Sequence, residues 1–131
     1  MTGGAIHTTY YDFYQQPGRW VRLVRTPVPF ASLEEIGSLG EEVGPMLRSA
    51  AQPGVRLLLD FRRGPPGRND PAFEAAVERS RAQLADLFET VGILVGTAAG
   101  RLQVQRISRS NHRPTEVFID EAEALRWLEH R

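Results

Sequence analysis

The chain has 131 residues, with 16 basic and 16 acidic side chains, three histidines and no cysteine. A domain of this size buries a core without covalent staples. The missing thiols exclude disulfides, zinc–thiolate centres and cysteine nucleophiles, and fit a reducing, cytoplasmic compartment. Balanced charge gives no field to attract nucleic acid or an anionic membrane surface. Every basic residue is arginine, which excludes a phosphate-loop lysine, a Schiff-base lysine and a lysine general base.

Residues 1–6 are expected to be a frayed leader, and the stretch to Gln16 has neither the basic nor the apolar region of a secretion signal. The run HTTYYDFYQ (7–15) is rich in Thr and Tyr, which suit a pleated surface. Pro17-Gly18 is a tight-turn pair, and RWVRLVRT (19–26) follows with Val21 and Leu23 on one face and Arg22 opposite. Two such runs about a Pro-Gly turn predict an antiparallel hairpin. After Pro27 and Pro29, Ser32 and Glu35 have capping-box spacing. Leu33, Ile36, Leu39, Val43 and Leu47 then recur as one helix face. Pro45 is expected to break this helix into two pieces.

Pro53-Gly54 resets the chain before VRLLLDF (55–61), whose unbroken leucines predict a strand covered on both faces. An arginine-, glycine- and proline-rich loop leads to Asp70-Pro71, an N-cap followed by a residue suited to the first helical turn. Phe73, Val77, Leu84, Leu87 and Phe88 share a face of the helix expected over 71–88. VGILV (91–95) is a second buried strand. The segment 102–107 fits either a strand or a helix. EVFI (116–119) is a short strand, and Asp120 with Glu123 opens a last helix packed through Ala124, Leu125 and Leu128, with Trp127 at its edge. No apolar run is long enough for a membrane span. The prediction is one α/β domain over 1–131: a small mixed sheet with an N-terminal antiparallel hairpin, followed by parallel strands and crossover helices.

In this order the chain resembles the SpoIIAA-like, or STAS-type, family of small α/β domains. The residues that carry the likeness are VRLLLDF (55–61), VGILVGTAAGRLQVQRI (91–107) and, above all, EVFIDEAEALRWL (116–128), a strand ending in Asp before an acidic helix. The resemblance implies a helix over 100–108 and a non-enzymatic regulatory role. Anti-anti-sigma members are switched by phosphorylation of a Ser or Thr at the start of the helix after a central strand. Asn69 and Asp70 occupy that place here, and neither offers a hydroxyl. The family's Asp-Ser-x-Gly pattern is missing, so the resemblance implies partner binding without that switch.

The loop RRGPPGRND (62–70) lies past the carboxyl end of a buried strand and before a helix N-terminus, where ligands of open α/β sheets gather. Arg62, Arg63 and Arg68 could bond a phosphate or carboxylate, with Asn69 and Asp70 beside them. The competing reading is a rigid solvated loop in which Asp70 already serves as the cap. Asp60 ends the preceding strand, either as an acid or as a brace for the turn. Arg106 and Arg109 begin a second basic stretch through Arg113. It lacks the aromatics that would stack on bases. The three histidines are far apart, so no zinc site is expected, and no Gly-x-Ser-x-Gly elbow exists. No cofactor and no metal are expected. Tyr10, Tyr11, Phe13 and Tyr14 are either strand packing or an interface for a homodimer through the edge hairpin. The leading expectation is a non-enzymatic module of bacterial signalling that binds a protein partner through 62–71. A carrier or sensor of a small apolar or anionic ligand, seated between helix 71–88 and the sheet, is the rival. An enzyme using Asp60 and the loop arginines comes third.

Overall fold

The computed structural model describes residues 4–65, 70–108 and 115–130, without the side chains of Gln103, Arg106, Ile107 and Ser108. Six strands form one sheet whose spatial order is the chain order: β1 (Gly4–His7), β2 (Tyr11–Gln16), β3 (Trp20–Arg25), β4 (Arg56–Asp60), β5 (Thr90–Leu94) and β6 (Thr115–Phe118). The first two junctions are antiparallel and the remaining three parallel. Pro17 and Gly18 make the turn between β2 and β3. Gly18 takes a φ of 75°, and the Arg19 amide donates to the Gln16 carbonyl at 3.0 Å. This is the positive-φ position that a turn with Pro before Gly requires.

Four helices complete the fold: α1 (Leu33–Ala50), α2 (Pro71–Ala85), α3 (Ala98–Ser108) and α4 (Glu121–Glu129). Each parallel step moves one place in the same direction, so crossovers of one hand lay their helices on one face. Val21, Leu23, Leu57, Leu59, Val91 and Ile93 of the sheet pack there against Ile36, Leu39, Val43, Leu47, Phe73 and Leu84, with Val104 of α3 alongside. The last helix has no further strand to reach and folds onto the opposite face. Ala124 and Leu128 of α4 cover Leu58 and Leu94, flanked by Trp20, Phe118 and Trp127. The leucine run of β4 is therefore buried from both sides, as its unbroken apolarity predicts.

Several local expectations change. Gly4–His7 form β1, paired with β2, so the leader is a strand from residue 4 onward and the hairpin does not supply the free edge. Tyr10, Tyr11 and Phe13 are core residues. Pro45 does not divide α1, which runs unbroken for 18 residues. Its ring faces solvent, and the buried face of Val43, Leu47 and Ala50 continues across it, so tertiary packing outweighs the lost backbone bond. Ser32 caps α1 by accepting from the Glu35 amide at 3.3 Å. The Glu35 carboxylate accepts from the Ala31 amide at 2.9 Å and from the Tyr10 hydroxyl, instead of reaching back to Ser32. α2 ends at Ala85, and Phe88 is buried in the turn before β5. The segment 102–107 is helical. Leu125, expected in the core, is exposed.

Candidate functional site at the carboxyl end of strand four

Asp60 closes β4 and is 1% exposed. A carboxylate so deeply buried survives only if its lone pairs are engaged. Its Oδ1 accepts from the Arg62 amide at 3.1 Å and from Arg62 Nε at 3.0 Å. Its Oδ2 accepts from Arg62 Nη2 at 2.9 Å and from Arg22 Nη2 at 2.7 Å. Both guanidinium groups turn on to Glu121, whose Oε1 lies 2.8 Å from Arg22 Nη2 and 2.5 Å from Arg62 Nη2. Two cations and two carboxylates, drawn from β3, β4, its loop and the first turn of α4, form one closed network. Among the described residues, Arg22 Nε is the buried side-chain atom left without a partner.

The electrostatics follow from this closure. Burial pushes the Asp60 carboxyl up, but the hydrogen bonds from Arg62 and Arg22 outweigh it and hold the group below its ordinary range. The same two arginines hold Glu121 down. Burial works against the Arg22 charge, yet its bonds to Glu121 and Asp60 prevail and raise it. Arg62, bonded first to Asp60, is raised as well. An ionised Asp60 with both oxygens engaged, one of them by the Arg62 amide, braces the turn.

Of the loop residues singled out from sequence, Arg62 belongs to this network, and Arg63 is exposed and lines, with Arg22, Asp60, Arg62, Glu121, Tyr14, Trp20 and Val24, a hollow of about 400 Å³. Asp70 accepts from the amides of Ala72 and Phe73 at 3.1 and 3.2 Å, capping α2. Arg68, Asn69 and Arg109, and the side chain of Arg106, lie outside the described residues. Sequence reasoning missed Arg22 and Glu121. The available signal was Arg22 itself, opposite Val21 and Leu23 on a strand covered on both faces, where a guanidinium needs a carboxylate.

A second cavity, of about 190 Å³, opens on the other side of the same loop, beneath the start of α2. Its walls include the rings of Tyr11, Phe30, Phe61 and Phe73, with Val77, Pro29 and Pro65 beside them. Two guanidinium groups enter it. Arg81 lies 5.0 Å from the Phe61 ring centre and pairs with Glu78. Arg25, the last residue of β3, is 6% exposed. Its Nη1 donates to the carbonyls of Thr26 at 2.7 Å and Tyr10 at 3.3 Å, and its charged carbon sits 4.2 Å from the Phe30 ring centre. No described carboxylate pairs with it. Burial lowers its pKa.

Among the described residues no cluster of three or more histidines or carboxylates is placed to hold a metal ion, and no helix is long and apolar enough to cross a membrane. Compared with known protein families, curated proteins and solved structures, the chain matches none.

Proposed function

We propose that the chain is a non-enzymatic, STAS-like regulatory module of bacterial signalling that acts in the cytoplasm by binding a protein partner through the surface at Arg63 and the first turn of α2. The observation that carries this reading is the saturation of Asp60. General acid–base or nucleophilic work needs a lone pair or proton free to reach substrate, and here both carboxylate oxygens are engaged by Arg62 and Arg22. This engagement of Asp60 favours the binding module over an enzyme built on Asp60 and the arginines, although Asp60 and Arg62 do converge. Exposed Arg63, Asp70 and Glu74 remain beside a rigid strand end, and such loops on fixed scaffolds commonly carry recognition.

The choice of variant follows from the network and the cap. Arg62→Ala and Asp70→Ala would perturb the network and the helix cap, so they mix folding with binding. Arg63→Glu reverses a charge on the exposed loop and removes no hydrogen bond of the network or of the cap. Affinity capture from the cells that make the protein, with mass-spectrometric identification, should recover a partner with wild type and with the control Arg48→Glu on α1, and lose it with Arg63→Glu. Equal recovery with all three chains overturns the assignment of the surface.

A further inference from the structure

The cavity beneath α2 has a chemistry that the docking surface does not use. It stands at the carboxyl ends of the parallel strands β3 and β4, the usual side for ligands in open α/β sheets. Its volume is about 190 Å³. An apolar protein cavity of about 150 Å³ accommodates benzene, so this one has room for a ring and one small polar group. Three aromatic rings, Phe30, Phe61 and Phe73, supply an apolar wall, and Arg25 supplies the polar feature.

Arg25 distinguishes this space from a packing defect. A desolvated guanidinium is held in most interiors by a carboxylate, as Arg22 is by Asp60 in this protein. Arg25 has two backbone carbonyls and the faces of Phe30, Tyr10 and Tyr11. Carbonyls and ring quadrupoles solvate the charge partly but do not neutralise it. Glu74 lines the same cavity. It is exposed, so solvent screens its field at Arg25, while a second negative charge on a ligand would meet it at the rim. The second cation, Arg81, already has Glu78.

We propose that this cavity is a binding site for a small apolar monocarboxylate of about the size of benzoate, with the carboxylate on Arg25 and the hydrocarbon between Phe30, Phe61 and Phe73. The order of preference follows from the walls. A neutral isostere keeps the apolar contacts and loses the ion pair. A short acid such as acetate keeps the pair and loses the contacts. A dianion meets Glu74. Ligand entry would fill the space between α2 and the strand ends, close to the exposed turn that carries the partner surface, but the site does not depend on that surface.

Titration calorimetry and ligand-observed NMR on the full chain test it with benzoate as the probe. Saturable binding is expected, with a Kd on the order of 0.1–1 mM for so small a ligand, and with benzamide, acetate and phthalate each weaker by roughly tenfold or more. Arg25→Met should remove the preference for benzoate over benzamide. Val77→Trp fills the cavity from a half-buried position of α2 and should abolish binding of both, which keeps the test decisive if the Arg25 variant does not fold. Absence of saturable benzoate binding to wild type at about 10 mM overturns the proposal. So does equal affinity for benzamide, or unchanged benzoate binding in Val77→Trp.

Discussion

The two sides of the loop after β4 handle buried arginine in opposite ways. On the α4 side, Arg22 and Arg62 meet Asp60 and Glu121 in a network whose charges cancel. On the α2 side, Arg25 is more deeply buried than either and has only carbonyls and aromatic faces. Each arrangement places guanidinium in a medium where an unpaired charge is costly. The closed network settles most of that cost internally, with Arg22 Nε its one buried donor without a partner among the described residues. The open one leaves attraction unspent. What makes a charged cluster competent to bind is how many of its charges are already answered, more than how many there are.

Opening the closed side gives the largest expected effect. Asp60→Ala removes the anion shared by two cations and leaves Arg22, at 15% side-chain exposure, with the more exposed Glu121 alone. Removing one partner of a buried pair costs about 3–5 kcal/mol. Urea unfolding should show a loss of that order, and a loss below about 1 kcal/mol would mean that the network is dispensable. The pH dependence sharpens the same point. The folded Asp60 pKa lies below its ordinary 3.8, so the unfolded chain binds more protons as acid is added past that value. Stability from this group is therefore complete well above pH 4 and lost as pH falls through the folded pKa. The difference between wild type and Asp60→Asn should shrink with acidification below about pH 4, followed by chemical unfolding at a series of pH values.

The closed side also depends on where α4 sits, and a single glycine sets that seat. A Cβ on Gly92 of β5 would lie 2.8 Å from the Trp127 ring and 3.2 Å from Phe118. Gly92→Ala must push α4 outward and with it Glu121. Overpacking of this kind costs about 1–3 kcal/mol. Hydrogen exchange should show faster opening of α4, with α1 unaffected. Uniform loss of protection would instead mean that α4 is inseparable from the main core.

The closed network was only half legible in the sequence. Asp60 and Arg62 stand two residues apart at the end of an obvious strand, so their proximity is local. Arg22 and Glu121 join them across 38 and 61 residues of chain from Asp60, and their meeting requires that α4 cross to the face opposite α1–α3, a choice no local pattern encodes. The strand of leucines, the Asp70-Pro71 helix start and the Pro-Gly hairpin were legible because each rests on a short-range rule. Pro45 misled because its penalty is local while the packing that overrides it is not. Nothing in the local sequence distinguishes Arg25 from an ordinary charge at the end of a strand. Its burial comes from Tyr10 and Phe30, which flank it from segments before and after the strand.

A smaller effect is expected at the entrance to the open side. Asp70 caps α2 and so fixes the turn that presents Phe73 to the cavity. Asp70→Ala should cost about 1 kcal/mol, read as a shift in the urea midpoint without change in slope. It should also weaken benzoate binding only a few-fold, since the ring is displaced and not removed. A full loss of affinity would place Asp70 itself among the ligand contacts.

The smallest change in stability should come from the most deeply buried of the described arginines. Arg25→Met removes bonds to two carbonyls, a loss of about 1–3 kcal/mol if both stay dry, and ring contacts worth about 0.5–2 kcal/mol. Against these stands the release of a desolvated cation with no counter-ion, for which apolar replacement of buried charge has gained about 1–4 kcal/mol elsewhere. The opposing terms are of similar size, so the variant should lie within about 1 kcal/mol of wild type. Asp60→Ala, at comparable burial, should not. A protein that keeps its stability when Arg25 is removed, yet loses its preference for an anion, holds that charge for something other than folding. If Arg25→Met instead destabilises as much as Asp60→Ala, the two sides of the loop are alike, and Arg25 is a brace that uses carbonyls where Arg22 uses a carboxylate.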